Sequence, residues 1–421
     1  MIPNSSQGKA NPDNKYPAAQ SNPELTAEII GRKSIANLGL QLRWSSPSVR
    51  HTETYYSTLN IWREADLLPP SLSQALMGQK AGAHLHLSLA GGAITPVYRE
   101  DLVYRFQMEN FAAGHQVPRL GRFYPRGLLT GFTGDPIPFR CTAVDDLAFT
   151  ADFNHPLAGK SLEVEVVVLE VQKKRSERGG QCVDWLELLT SGPGIQDRWQ
   201  GLATDFFADD AFRRKDEQDD ARFYEQPRLV SHIDKRAIET IKMVYGRLLK
   251  PDLQVLDLMS SGQSHLPDAL PVKSLIGLGL NEAELRHNPR LTDYLVHDLN
   301  QEPQLPFTDR YFEAVICNLS VEYLIRPFEV FHEVARVLKP GGLFVQTFSQ
   351  RWFPPKVIQI WPELHEFERQ GLVLEYFLRS GAFTKLETFS ARGWPRPTDD
   401  RYYSQTKFSD PVFAVWGQAT G

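Results

Sequence analysis

The 421 residues read as two domains of different class: an α+β domain of mostly antiparallel strands with one short helix, then an α/β domain with a doubly wound parallel sheet. Three features carry this reading. Residues 85–89 (LHLSL) alternate strictly, and 162–171 (LEVEVVVLEV) alternates before becoming continuously apolar, the pattern of strands that half-bury one face. A charged, glycine-containing stretch, KKRSERGG at 173–180, then interrupts the text as a domain boundary would. Beyond residue 230 the period changes, and apolar strand-like runs alternate with helical ones, which is the order of a sheet covered on both faces.

The elements follow in order. Residues 1–30 are rich in Asn, Pro, Ser, Gln and Ala and read as a mobile tail. Residues 31–175 form the antiparallel domain, with short apolar runs between Gly and Pro turns and one helix at 70–78 that Ser71 would cap. Residues 176–222 are polar and irregular, and the mixed charge run RRKDEQDD at 213–220 reads as a solvated face. The second domain, 223–421, opens with a helix whose apolar positions are Ile233, Ala237, Ile241, Val244 and Leu248, ended by Lys250 and Pro251. Strands follow at 255–259, 274–280, 294–299, 314–320 and 342–349, with a helix at 328–338. The stretch 369–401 reads as closing antiparallel strands, and its neighbourhood holds Trp352, Trp361, Trp394, Tyr402 and Tyr403 as core or pocket aromatics.

Composition narrows the function classes. Hydrophobic residues make up 42% and aromatics 11%, enough for ordinary cores. Lys plus Arg number 46 against 51 for Asp plus Glu, so no basic excess points to nucleic acid. The apolar runs fall far short of the ~20 residues that span a bilayer, and the N-terminus has no charged-then-apolar signal, so a cytoplasmic protein is expected. Cys141, Cys182 and Cys317 are scattered without CxxC or Cys/His spacing, so neither a disulfide framework nor a metal site is expected.

In the second domain Asp257 ends a buried strand and runs into the small-residue turn Met259-Ser260-Ser261-Gly262. Ligands of doubly wound sheets lie at the carboxyl ends of the strands, and small residues there let backbone approach them. Asp298 ends the third strand, Asn318 and Ser320 the fourth, and VARVLKPGG closes the helix before the fifth. The ordered combination LPF…FEAVICNLSVEYL…EVARVLKPGG, over 224–350, resembles the class I S-adenosylmethionine-dependent methyltransferases of the type 11 group. The resemblance implies a Rossmann-like fold and S-adenosylmethionine as cofactor. It places Asp257, Met259, Ser260, Ser261 and Gly262 beside the methionine part, Asp298 and Leu299 at the adenine, and Asn318 and Ser320 facing the sulfonium. The chain departs from it twice. One glycine of the usual three remains in the first motif, and Gly279 stands where an acidic residue holds the ribose hydroxyls, with Asn281 and Glu282 just beyond.

Residues 223–234 (FYEQPRLVSHID) precede the first strand, where such folds carry a lid. Arg228 is a candidate partner for the cofactor carboxylate, and Tyr224 and His232 are catalytic candidates, a His being a base near neutral pH. The other reading is that His232 and Asp234 simply cap the following helix. Methyl transfer asks chiefly for in-line positioning, so the residues alone name no obligatory catalytic group.

In the first domain the turn Asp152-Phe-Asn-His-Pro-Leu-Ala-Gly159 before the long strand 162–171 resembles the SlyD-like FKBP prolyl isomerases, with the match running over 37–172. The resemblance implies a hydrophobic slot for an X–Pro bond, for which Trp62, Leu67, Leu68, Tyr98 and Phe149 are candidates alongside plain core packing. The family's tyrosine and aspartate pocket pair is not evident. The expected function is transfer of a methyl group to a small molecule or protein, with the FKBP-like domain binding a Pro-containing peptide or isomerising it. The alternative is an isomerase or chaperone whose second domain is scaffold.

Overall fold

The computed structural model describes residues 28–31, 34–59, 70–112, 117–173, 185–207 and 210–421. The N-terminal text folds into β1 (Ser34–Ser45), β2 (Val49–Leu59), α1 (Pro70–Leu76), β3 (His84–Leu89), β4 (Val103–Gln107), β5 (Phe123–Pro125), β6 (Pro138–Val144), β7 (Ala148–Asp152) and β8 (Leu162–Lys173). The connecting stretch carries α2 (Trp185–Thr190) and α3 (Asp220–Phe223). The C-terminal text gives α4 (Lys235–Leu248), β9 (Gln254–Leu258), β10 (Ser274–Gly279), α5 (Glu282–His287), β11 (Asp293–Val296), β12 (Phe312–Asn318) and α6 (Pro327–Val337). It closes with β13 (Leu338–Phe348), α7 (Ile360–Glu363), α8 (Glu366–Ser380), β14 (Phe383–Arg392) and β15 (Val412–Ala419).

One sheet of eleven strands, in the order β11-β10-β9-β12-β13-β15-β14-β2-β1-β8-β3, runs through both halves. Strands β11 to β13 are parallel, as the apolar runs require, and β15 returns antiparallel between β13 and β14. Alternation sends Val255, Ile316 and Val345 into the core beneath α4, and Leu256, Leu258 and Phe344 into the larger core beneath α6 and α8. A four-stranded sheet, β4-β7-β6-β5, closes over its own aromatic core of Phe139, Phe149 and Phe153.

The two halves join through backbone. Strand β14 pairs in parallel with β2, from Leu386 opposite Val49 to Arg392 opposite Tyr55. Buried side chains tie the seam: Gln196 Nε2 and Ser390 Oγ both donate to the Glu53 carboxylate, and His51 Nδ1 meets Thr388 Oγ1 at 2.8 Å. Above it Arg122 Nε donates to Glu368 Oε1 at 3.0 Å, both side chains buried. The connecting segment wedges into the same joint, so that a Cβ on Gly194 would strike Pro156, and Gly371 lies against Gln196.

Several expectations are corrected. Residues 369–380 are helix, part of α8, and only β14 and β15 close the chain as strands. The tail read at 1–30 does not extend to its last residue. Ile30 is 1% exposed, and its N–H donates to Gln79 O. Residues 1–27 and most of the 173–180 boundary lie outside the described residues. The charge run 213–220 is not a solvated face throughout. Arg214 holds both oxygens of the buried Asp220 at 2.9 and 2.7 Å, and the fully buried Lys356 reaches Asp220 at 3.1 Å.

Candidate functional site

The carboxyl ends of β9, β10 and β12 and the turn after β11 open onto one cleft of about 1010 Å³, roofed by residues 220–232. Strand order places it where doubly wound sheets bind ligands. Asp257, at the end of β9, is 1% exposed. Ser260 Oγ donates to it at 2.7 Å and Asn318 Nδ2 at 3.4 Å, and burial still pushes its carboxyl up to about 6. Tyr245 OH and Thr347 Oγ1 in turn donate to Asn318 Oδ1. Asp257 and Asn318 therefore form a braced floor. Three residues of the lining, Met259, His265 and Leu319, hold left-handed backbone at φ 55, 53 and 51°. Such strain collects where surrounding structure fixes a site.

Gly279 ends β10 with the β9 loop lying directly on it. Ser260 N donates to Leu278 O at 2.8 Å, and a Cβ on Gly279 would sit 2.1 Å from Ser260 O. This loop path excludes a side chain there. Asn281 is occupied otherwise: its Oδ1 caps α5 at Glu284 N, and its amide donates to Tyr224 O and Glu225 O, anchoring the roof. Glu282 turns outward to Arg286 and Tyr294. Glu284 instead faces the cleft. It is 8% exposed, and its Oε1 accepts from Arg228 N at 2.5 Å.

The Arg228 guanidinium lies 4.5 Å from the Phe223 ring centre and 5.0 Å from that of Phe353. Nη2 donates to Phe223 O, while Nη1 is buried without a hydrogen-bond partner. His232 stands edge-on to Phe353. Its pKa is lowered first by burial, then by the Arg228 and Arg401 charges against the opposing Glu284 carboxylate. Burial also lowers His265 to about 4 and raises the Tyr224 hydroxyl. Both imidazoles are therefore neutral near pH 7. Asp298 accepts from Asn300 N and Gln301 Nε2, and Leu299 is buried behind it. Ser320 Oγ donates to Asn318 O.

The structure thus brings Tyr224, Arg228, His232, Asp257, Met259, Ser260, Ser261, Asn281, Asp298, Leu299, Asn318 and Ser320 to one cleft, and sets Gly262 just behind it against Leu229. Sequence reasoning missed His265, Glu284, Tyr323 and Phe353. Only Glu284 had a signal, an acid five positions past the strand end with the cap of α5 between. Trp361 is core, and Trp352, Trp394, Tyr402 and Tyr403 stand outside the cleft lining. Among the described residues no cluster of three or more His, Cys, Asp or Glu side chains is placed to hold a metal ion.

In the N-terminal half Phe149 is core of the small sheet, and Tyr98 stands apart from it beside Trp199 at 6.4 Å. Trp62, Leu67 and Leu68 lie outside the described residues. The 152–159 turn is a staple: Asn154 accepts from Arg99 N and donates to Arg99 O and Asp152 Oδ1. No helix among the described residues is long and apolar enough to cross a membrane.

A family described as a methyltransferase domain, type 11, matches residues 260–346. An FKBP-type 16 kDa peptidyl-prolyl cis-trans isomerase of Escherichia coli K12 is 32% identical over 104 residues, covering 25% of this chain and 67% of the relative. A fatty-acid O-methyltransferase of Mycolicibacterium smegmatis is 41% identical over 70 residues, 16% of this chain and 24% of that protein. Among solved structures, a SAM-dependent methyltransferase from Aquifex aeolicus aligns over 48% of this chain and 97% of its own, at 16% identity and a TM-score of 0.30.

Proposed function

Since the chain belongs to the FKBP-type peptidyl-prolyl isomerase family through its N-terminal half and joins it to a class I methyltransferase domain of the type 11 group, we propose that it methylates an acceptor at the carboxyl-edge cleft, using S-adenosylmethionine. In this reading the N-terminal half binds the acceptor or isomerises its X–Pro bonds. The carrying observation is the convergence of four strand ends on one cleft, those of β10, β11 and β12 inside the stretch that matches the family and that of β9 just before it.

The residues present suit the cofactor. Arg228 Nη1 is a buried donor lacking a partner, as a carboxylate-binding group would be before its ligand arrives. Asp298 is an acceptor for an adenine amine, and Leu299 is the apolar surface beside it. No hydrogen bond from a described residue reaches Glu284 Oε2, which leaves that oxygen for a ribose hydroxyl that Gly279 has no means to bind.

S-Adenosylmethionine, when bound, supplies an already activated methyl group, so the chain's task is to orient and to exclude water. Asp257 and Asn318 hold the floor rigid. Tyr224, Tyr323 and Phe353 wall the cleft with aromatic faces. The neutral His232 imidazole takes a proton from an acceptor that carries one. Calorimetric titration of S-adenosylhomocysteine into the full chain tests this. Roughly micromolar binding, weakened at least about tenfold in Asp298→Ala, is expected. No binding at millimolar ligand would refute it.

A further inference from the structure

A second cavity, of about 660 Å³, lies where the small four-stranded sheet, the connecting segment and α7 meet, and it shares no described lining residue with the cleft. That volume falls within the ~300–1,000 Å³ of small-molecule sites. Backbone contacts fix its walls. Gly121, at φ 82°, turns the chain before β5, and its N–H donates to Cys141 O. A Cβ there would stand 3.0 Å from Thr204 Oγ1, so this turn packs directly on the connecting segment. Asp205 N donates to Leu120 O across the same contact, and Ile360 N donates to Ala211 O on the far wall.

Arg122 sets the chemistry. It is 4% exposed, and its guanidinium carbon lies 5.5 Å from the ring centres of both Tyr124 and Phe206. Nε donates to Glu368 Oε1, but neither Nη atom donates to a described residue. Neither Nη is sealed off, so both donors open into the cavity that Arg122 lines. Such a guanidinium suits a carboxylate, which offers two acceptor oxygens.

A bare anion would meet opposition. With their partners included, Arg119 and Arg122 stand against the carboxylates of Asp205, Asp210, Glu363 and Glu368. Glu363 accepts no hydrogen bond from a described residue. Burial raises its pKa, the Arg122 charge lowers it and Asp210 raises it again, so these three charges face a common space. Asp210 itself accepts from Gln359 Nε2 at 3.0 Å. The buried Phe206, Ala211 and Ile360 add apolar wall. A ligand that satisfies both ends therefore carries a carboxylate and a cation together.

We propose that this cavity binds a small zwitterion of the amino-acid class. Its carboxylate meets the Arg122 Nη atoms, its ammonium meets Glu363 and Asp210, and an apolar side chain rests on Phe206, Ala211 and Ile360.

The test is calorimetric titration of L-valine, L-leucine and L-phenylalanine, each in turn, into the full chain. Saturable binding of at least one is expected, undiminished by excess S-adenosylhomocysteine. Asp210→Asn with Glu363→Gln leaves the Arg122–Glu368 pair intact. It should weaken that binding at least about tenfold and leave the Tm of the ligand-free chain unchanged. Two analogues of the tightest binder check the assignment in the parent chain itself. The one lacking the ammonium should bind at least about tenfold more weakly, and equally to parent and double variant. The amide, lacking the carboxylate charge, should lose a similar factor. No saturable binding at millimolar ligand would overturn the proposal. So would amino-acid binding of equal strength in parent and double variant, displacement by S-adenosylhomocysteine, or tighter binding of either analogue.

Discussion

Restoring the acidic residue that methyltransferases of this fold carry at the second strand end should damage this protein. In Gly279→Asp the new Cβ would lie 2.1 Å from Ser260 O, against an ordinary carbon–oxygen contact of about 3.3 Å. The obstacle is main chain, so the 259–262 loop has to leave the strand and give up the Ser260 N–Leu278 O bond, worth about 0.5–1.5 kcal/mol. Forcing atoms into a packed site adds about 1–3 kcal/mol. A loss of about 2–4 kcal/mol is expected, read as a drop of several degrees in Tm by circular dichroism. S-Adenosylhomocysteine should bind more weakly, because the displaced loop carries Ser260 away from Asp257. A variant that melts like the parent and binds the ligand more tightly would refute the reasoning. It would mean that the loop yields freely and that Gly279 is only a lost side chain.

Glu284→Gln should weaken adenosine binding by about one to two decades, the worth of a charged acceptor, and leave 2′,3′-dideoxyadenosine unaffected. Equal losses for both nucleosides in calorimetry would make Glu284 an anchor of the roof alone. Glu322 is fully buried with neither carboxylate oxygen hydrogen-bonded, and burial pushes it from 4.5 up to about 8. Stability from a raised acid is complete below the unfolded pKa and is lost as pH rises through the folded one. Glu322→Gln should therefore match the parent in urea unfolding near pH 4 and exceed it by about 2–5 kcal/mol near pH 8.5. A constant difference across that range would contradict it. Arg122→Met strands the buried Glu368 carboxylate and should cost about 3–5 kcal/mol by the same assay. Adding Glu368→Leu should recover much of the loss, and no recovery would show that the pair is not the cause.

Asp257 was legible because it stands in the apolar run 255–258, which forms a buried strand, and Asp298 because it follows the apolar run of β11, although Leu295 and Val296 there are exposed. Glu284 was passed over although it stands five positions past the strand end, because the acid is expected at the strand end itself, where the loop from β9 crosses Gly279 and leaves no room for a side chain. Helix α8 was misread for a physical reason. Leu372, Val373, Leu374, Tyr376 and Phe377 are all buried, because the helix is covered by the sheet on one side and by the connecting segment on the other. A helix buried all round shows no 3.6-residue stripe, so its aromatic and β-branched text looks like strand. The continuous sheet was invisible for a different reason. Glu53 and Ser390 meet across 337 residues, and neither β2 nor β14 marks its edge as open.

The seam between β2 and β14 also explains why its interior is polar. Apolar strands would pair at many registers, and a slip of two residues keeps every side chain on its own face. Polar pairs limit that freedom: shifted by two one way, His51 would face Leu386 and lose its hydroxyl partner, and shifted the other way Glu53 would exchange Ser390 for Arg392. Burial already holds Glu53 up at about 7 and His51 well below its ordinary value even with their partners in place, so the penalty for losing them is steep. The pairing that results contributes little net stability for its desolvation cost, but it favours the native register over one that sets His51 against Leu386. The register in turn fixes how the N-terminal sheet stands relative to the cleft.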